Sequence, residues 1–310
     1  MKKLDLVTIL LFFCAGVIFI LCSFFDNPIN FLVYLASLII SYFTMQIINV
    51  KDRDKITSLL SILFLFPIIA LPLQYSGIVA SIHDYDGLTF RFISTFGGPN
   101  TSGIIHGMAI LFFIKCHARY REKKYLIIIA ISFVSLMATF SLSSILSFSI
   151  LLLISLKAKE SFKLIISFTL VFVVFFIFKT ESIWGLINIQ LDKISVVADI
   201  LMLEDPQDSG SIGGRVIQIH HFFYSLNATS LFTGWGIGYE NFYMQLISIS
   251  GVMGFMLYFI ILSRIFDVKN NPYIQLLLLA SLFTPALDSI VVLFFCSVFT
   301  KLSDQISNYE

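Results

Sequence analysis

An all-α, polytopic integral membrane protein is the fold class this sequence predicts, and three observations carry the prediction. The 310 residues are 58% hydrophobic and only 13% charged. Mean hydropathy is +0.93, more apolar surface than a soluble domain can bury. Apolar runs of roughly 17–25 residues, the length that crosses a bilayer as a helix, recur along the chain. We read residues 1–310 as a single membrane domain.

The elements follow in order. "MKKLDLVTILLFFCAGVIFILCSFF" opens like a secretion signal. Its apolar stretch is too long for one, and no small-x-small cleavage site follows, so it reads as a first span over Leu6–Phe25. Further spans are expected over Phe31–Val50, Ile56–Leu73, Gly97–Cys116, Leu164–Phe178 and Asn241–Leu262. Two longer stretches are interrupted: Tyr125–Leu156 by "FSLSS" and Tyr273–Thr300 by "TPALD". Counting each as a hairpin gives about ten transmembrane helices with both termini in the cytoplasm. Sixteen of the 20 Lys and Arg residues then lie inside, and only Arg91, Lys179, Lys193 and Arg215 lie outside, as the positive-inside rule requires. Reading Tyr125–Leu156 as one span would turn the Lys157–Lys163 loop outward and spoil that balance.

One extracytoplasmic loop, about Thr180 to Tyr239, is much larger than the others. Trp184, Ile187, Leu191, Ile194 and Leu201 recur at helical spacing, with Asn188, Asp192, Ser195 and Asp199 on another face. That is an amphipathic helix lying at the membrane surface. "EDPQDSGSIGG" breaks it, "RVIQIHHFFYSL" is a second short amphipathic segment, and "GWGIGYEN" leads into the next span.

Composition excludes several function classes. A net charge of +1 and a pI near 7.7 give no bulk attraction for nucleic acid. The four cysteines, Cys14, Cys22, Cys116 and Cys296, form no disulfide framework and no metal spacing. Adjacent His220 and His221 point about 100° apart on a helix and lack a carboxylate four residues away, so no metal is expected. Each remains a candidate acid or base.

The candidate site residues gather at the outer boundary. A guanidinium stays charged and grips phosphate with two parallel hydrogen bonds. Arg91 and Arg215 therefore suit a lipid-linked phosphate; anchoring to headgroups is the plain alternative. Each stands beside glycines, in "RFISTFGGPN" and "SGSIGGR". Pro99 suits a first helical turn. Asn100 either caps that helix or binds a ligand at its positive end. Glu240, beside Asn241 at the start of a span, is either a general base or a charge that stabilises the helix start. Gly234, Gly236 and Gly238 follow no strand and make a weak nucleotide motif.

"RFISTFGGPNTSG" resembles the Arg…Pro-Asn…Gly motif of the O-antigen polymerases (Wzy type) and related O-antigen ligases. "GGRVIQIHHFFYSLNATSLFTGWGIGYENFYMQLISISGVMGF" is similar to their second signature: an arginine in the large external loop, a Gly-x-Gly stretch, an acid or histidine with Asn, an aromatic (here Tyr243) and a Gly-rich span. The resemblance covers about Arg91 to Phe255. It implies an inner-membrane glycosyltransferase that uses undecaprenyl-pyrophosphate-linked oligosaccharide, with no cofactor and no metal. Its partners would be membrane lipid and a chain-length regulator and flippase of the same pathway. It implies pyrophosphate and glycan binding by Arg91, Asn100, Arg215, Asn241 and Tyr243, and catalysis by Glu240 with His220 or His221. The ligases have histidine where this chain has Glu240, which favours polymerase; ligase remains the first rival. A flippase or other transporter, from another class, would carry charge deep in several spans or show repeated halves, and here mid-span positions are nearly free of charge.

Overall fold

The computed structural model describes residues 6–23, 28–48, 50–76, 96, 98–139, 141–155, 210–227, 231–232, 234–235, 239, 241–282, 284 and 286–307. The expected span Leu164–Phe178, the first amphipathic helix of the large loop, Arg91 and Glu240 lie outside the described residues.

Among the described residues the fold is helical, with no strand. The helices are α1 (Leu6–Ser23), α2 (Pro28–Ile47), α3 (Arg53–Leu65), α4 (Pro67–Tyr75), α5 (Pro99–Tyr120), α6 (Lys123–Ala138), α7 (Leu142–Ser155), α8 (Gly210–Ser225), α9 (Phe242–Ile265), α10 (Pro272–Ala280) and α11 (Ile290–Ser307). Arg53–Gln74, Pro99–Tyr120 and Phe242–Ile265 are long and apolar enough to cross a membrane. The chain is thus a helical, membrane-associated protein.

Apolar side chains line the outside of the bundle as well as its core, unlike a water-soluble bundle. On α2, Leu32, Val33, Ile39, Ile40, Phe43 and Ile47 are exposed, while Ser37 and Ser41 are buried. On α3, α4 and the Phe66 between them, Leu59, Ile62, Phe66, Ile68 and Ile69 are exposed, while Thr57 and Ser61 are buried. Water would not tolerate such continuous apolar stripes, but lipid does. The inward hydroxyls satisfy themselves by donating one turn back: Ser37 to the Val33 carbonyl, Ser41 to Ser37 and Ser61 to Thr57, each at 2.8 Å.

Helix α5 is the axis of the bundle. Pro99 sits at its first turn, where a missing N–H costs nothing. The run from Ser102 to Phe113 is buried all round, as expected of a helix enclosed by others. Helices α6, α7, α10 and α11 pack on it, and α2 and α9 complete the described core. An aromatic seam ties α5 to α3 and α11: Phe64 meets Phe113, Phe295 and Phe299 at centroid distances of 5.9–6.1 Å. His106 stands edge-on to Phe64 and Phe96 in the same seam.

Both interrupted stretches are broken where the sequence placed the interruptions. Tyr125–Leu156 resolves into α6 and α7, parted at Thr139–Ser141, and Tyr273–Thr300 into α10 and α11, parted by a short 3₁₀ turn over Ala286–Asp288. With nine residues, α10 rises about 14 Å, roughly half the hydrocarbon core. At the opposite end of α5, Lys115 donates to Ser303 at 2.8 Å, and Asn271 caps α10 while donating to Thr300 at 2.8 Å.

Small residues let α5 and α7 approach closely. A Cβ on Gly103 would stand 2.7 Å from both Cβ and Oγ of Ser144 and 3.1 Å from Thr139 Oγ1, whereas one on Gly98 would meet nothing within 4 Å. Gly103→Ala must push the two backbones apart, and should destabilise the protein by about 1–3 kcal/mol. Gly98→Ala meets no clash and should cost less, about 1 kcal/mol at most, from the poorer N-cap. Thermal unfolding of both variants in detergent checks this, and a wild-type midpoint for Gly103→Ala would contradict the close approach.

Candidate functional site

Breaks in four helical segments meet at the end of the bundle where α5 begins. The first is the start of α5 itself. The second is the α6–α7 turn. Ser141 Oγ donates to Asn100 Oδ1 at 2.8 Å, and Ser144 Oγ donates to the Asn100 carbonyl at 3.1 Å. Ser143 and Ser144 lie 3.1 and 2.8 Å from the Ser141 hydroxyl. Ser141 also takes the N-cap position of α7, its hydroxyl accepting the Ser144 N–H at 3.4 Å. The third break is the α10–α11 connection, reached when Asn100 Nδ2 donates to Thr284 Oγ1 at 3.2 Å. Asn100 is thus a two-ended tie, its amide oxygen holding one broken segment and its amide nitrogen another.

The fourth break is the start of α9. Asn241 Oδ1 accepts the N–H groups of Tyr243 and Met244 at 3.0 and 3.1 Å, while Nδ2 donates to the Leu282 carbonyl at 2.7 Å. Phe242 N–H donates to the Ser281 carbonyl at 3.3 Å, and the Tyr243 hydroxyl donates to the Leu278 carbonyl at 2.8 Å. Asn100, Asn241 and Tyr243, three of the expected ligand contacts, are engaged by the protein itself and hold the broken ends together.

A further break lies within α9. Gly251 has φ 62° and ψ −178°, a region essentially closed to residues with a Cβ. Such a break frees carbonyls in the turn before it, and there the Trp235 N–H donates to the Ser248 carbonyl at 2.7 Å. Gly234, with φ 80°, lies against the same backbone, where an added Cβ would stand 2.4 Å from the Ser248 oxygen. The "GW" of "GWGIGYEN" is therefore seated on the kink of α9.

From this loop an aromatic group reaches α8. Phe222 packs on Trp235 and Tyr239 at 5.2 and 5.5 Å between centroids. Trp235 Nε1 donates to the Tyr239 hydroxyl at 3.1 Å, and His221 Nδ1 lies 3.1 Å from the same oxygen. His221 and His220 are both exposed. Arg215 belongs to α8, and its position lies two turns before Phe222 on the same face of that helix. Of the expected site residues, Arg215, His220 and His221 thus share one helix. That helix is joined through Trp235 and Tyr239 to α9, whose first turn Asn241 caps. Glu240 is the residue between Tyr239 and that cap in sequence.

Sequence reasoning passed over Ser141, Ser144, Thr284, Trp235 and Tyr239 as site residues. Hydroxyls at a break between apolar runs were the available signal for the first three, since freed polar groups in lipid need internal partners. Nothing at an 18-residue separation foretold the His221–Tyr239 pair. No protein-family model, curated protein or solved structure matches the chain.

Two substitutions test this construction. Asn100→Ala removes the amide that ties Ser141 to Thr284 and should cost about 1–3 kcal/mol. Gly251→Ala forces a side chain into the φ 62° conformation and should cost about 1–3 kcal/mol. Both should lower the thermal midpoint in detergent; an unshifted Gly251→Ala would mean that α9 runs through unbroken.

Proposed function

We propose that the chain is a polysaccharide polymerase of the bacterial cytoplasmic membrane. It transfers a growing undecaprenyl-pyrophosphate-linked glycan onto a new lipid-linked repeat unit at the outer face. One observation carries the reading: the Gly98-Pro99-Asn100 motif, which resembles the family's Pro-Asn element, lies at the hub where the broken helix ends converge. The split of basic residues supports an orientation with ten crossings, both termini inside and the loop of about Thr180–Tyr239 outside. In that orientation the hub faces out.

The chemistry assigns each residue a task. A hydroxyl of the acceptor sugar attacks the anomeric carbon of the donor glycan. The bond from that carbon to the pyrophosphate oxygen breaks, and undecaprenyl pyrophosphate leaves as an anion. Arg91 and Arg215 grip its phosphates and stabilise the developing charge. Glu240 takes the proton of the acceptor hydroxyl, a contribution of about 100- to 10,000-fold. Asn100, Asn241 and Tyr243 hold the framework. No metal and no nucleotide take part in this scheme, which follows the resemblance.

A second reading has one observation in its favour. A helix broken near mid-span, as α9 is at Gly251, is also a feature of transporters. The two readings separate on the product. Deleting the gene should abolish the glycan ladder while one repeat unit still reaches the cell surface. Loss of even the single unit would favour transport.

Arg91→Lys and Arg215→Lys keep the charge but lose the two-pronged grip, and each should lose most of the ladder at normal protein level. Glu240→Gln keeps the shape and removes the base. It should reduce polymer by about 100-fold or more while lipid-linked repeats still bind. An unchanged ladder in an arginine variant would make that arginine a membrane anchor. An unchanged ladder in Glu240→Gln would make Glu240 a helix-start charge.

A further inference from the structure

The hydrogen bonds around Tyr239 constrain His221 beyond its candidacy as acid or base. Tyr239 is buried, 4% exposed, and its hydroxyl has one proton to give and two lone pairs. An indole N–H can only donate, so the Trp235 contact at 3.1 Å occupies a lone pair and leaves the phenol proton to be placed. A buried donor needs an acceptor. Among the described residues, the acceptor within reach of the Tyr239 oxygen is His221 Nδ1, at 3.1 Å. Ser225 Oγ lies 3.3 Å from the same nitrogen, one helical turn along α8. With Nδ1 accepting, the neutral imidazole carries its proton on Nε2.

We infer that Tyr239 is a positioning residue that holds His221 in the Nε2–H tautomer, so that exposed His221 meets its ligand as a hydrogen-bond donor. The ligand is an electron-rich oxygen, of a phosphate or of a sugar hydroxyl. That identity rests on the polymerase reading; the tautomer does not. The consequence is a division of labour. His221 Nε2 has no lone pair to accept a proton from the acceptor sugar, so proton removal falls to Glu240, and His221 orients the substrate. Trp235, which donates to Tyr239 through its side chain and to Ser248 through its main chain, couples this arrangement to the kink in α9.

The tautomer can be read directly. Protein labelled with ¹⁵N-histidine in lipid nanodiscs gives separate Nδ1 and Nε2 resonances, and His221→Gln identifies those of His221. In the ligand-free protein we expect the proton on Nε2 and a bare, hydrogen-bonded Nδ1. Tyr239→Phe removes the donor and should replace the single tautomer by a mixture, with the other four histidines unchanged as the control for folding. A proton on Nδ1 in the wild type, or an unchanged tautomer in a folded Tyr239→Phe, overturns the positioning role. Two additions then test the ligand. A shift of the Nε2 resonance with undecaprenyl pyrophosphate alone assigns the oxygen to phosphate. A shift only with lipid-linked repeat extracted from the deletion strain assigns it to the glycan. No shift with either, or a switch to the Nδ1–H form, overturns the donor role. The ligand-free spectrum stands or falls whether or not the protein makes polymer.

Discussion

A backbone group released from a helix inside a bilayer finds no water, so the protein must supply its partner. Everything at the α5 start follows from that constraint. The chain interrupts its helices at Gly98, at Thr139–Ser141, at Asn241 and at Ser281–Asp288, and the breaks answer one another. Asn100 links two of them through opposite ends of one amide. Asn241 caps its own helix with its oxygen and satisfies the Leu282 carbonyl with its nitrogen. An amide is suited to this because it both donates and accepts, whereas a hydroxyl has one proton to commit. The cost of breaking helices in lipid is offset by concentrating the breaks.

The same concentration brings helix starts together. Helix starts carry partial positive charge, and those of α5, α7 and α9 lie at this end of the bundle. The segment that seats Trp235 on the α9 kink continues through Tyr239 to Glu240, and the aromatic contacts of Phe222 bring α8 with it. Helix α8, bearing an arginine and two histidines, is thereby tied to α9 by one tryptophan and one tyrosine.

How much of this the sequence disclosed varies with the kind of signal. Apolar runs marked out α1, α2, α5 and α9 singly and the pairs α6–α7 and α10–α11 as interrupted stretches, because lipid demands apolar length; the single run Ile56–Leu73 falls across both α3 and α4. "FSLSS" and "TPALD" announced breaks, because polar residues and proline interrupt that length visibly. The roles of the breaks stayed hidden: nothing local says that Ser141 serves an asparagine 41 residues away, or Thr284 one 184 residues away. Asn100 drew attention as a polar residue at a helix start, and Asn241 and Tyr243 through the resemblance, but their partners, which make them framework, are set by packing. Gly251 gave no sign either, since "SISGVMGF" reads as an ordinary Gly-rich span. Only its φ of 62° reveals the break.

The central claim is that the converged helix ends form an outward-facing, substrate-binding end of the bundle. Ser143, at its rim and half-buried, offers the most direct measurement. A Ser143→Cys variant with the four native cysteines replaced by serine or alanine is treated in intact spheroplasts with a membrane-impermeant maleimide. The account predicts labelling from outside, slowed when lipid-linked repeats accumulate in the membrane. Labelling only in inside-out vesicles, at a rate the repeats do not alter, would contradict it.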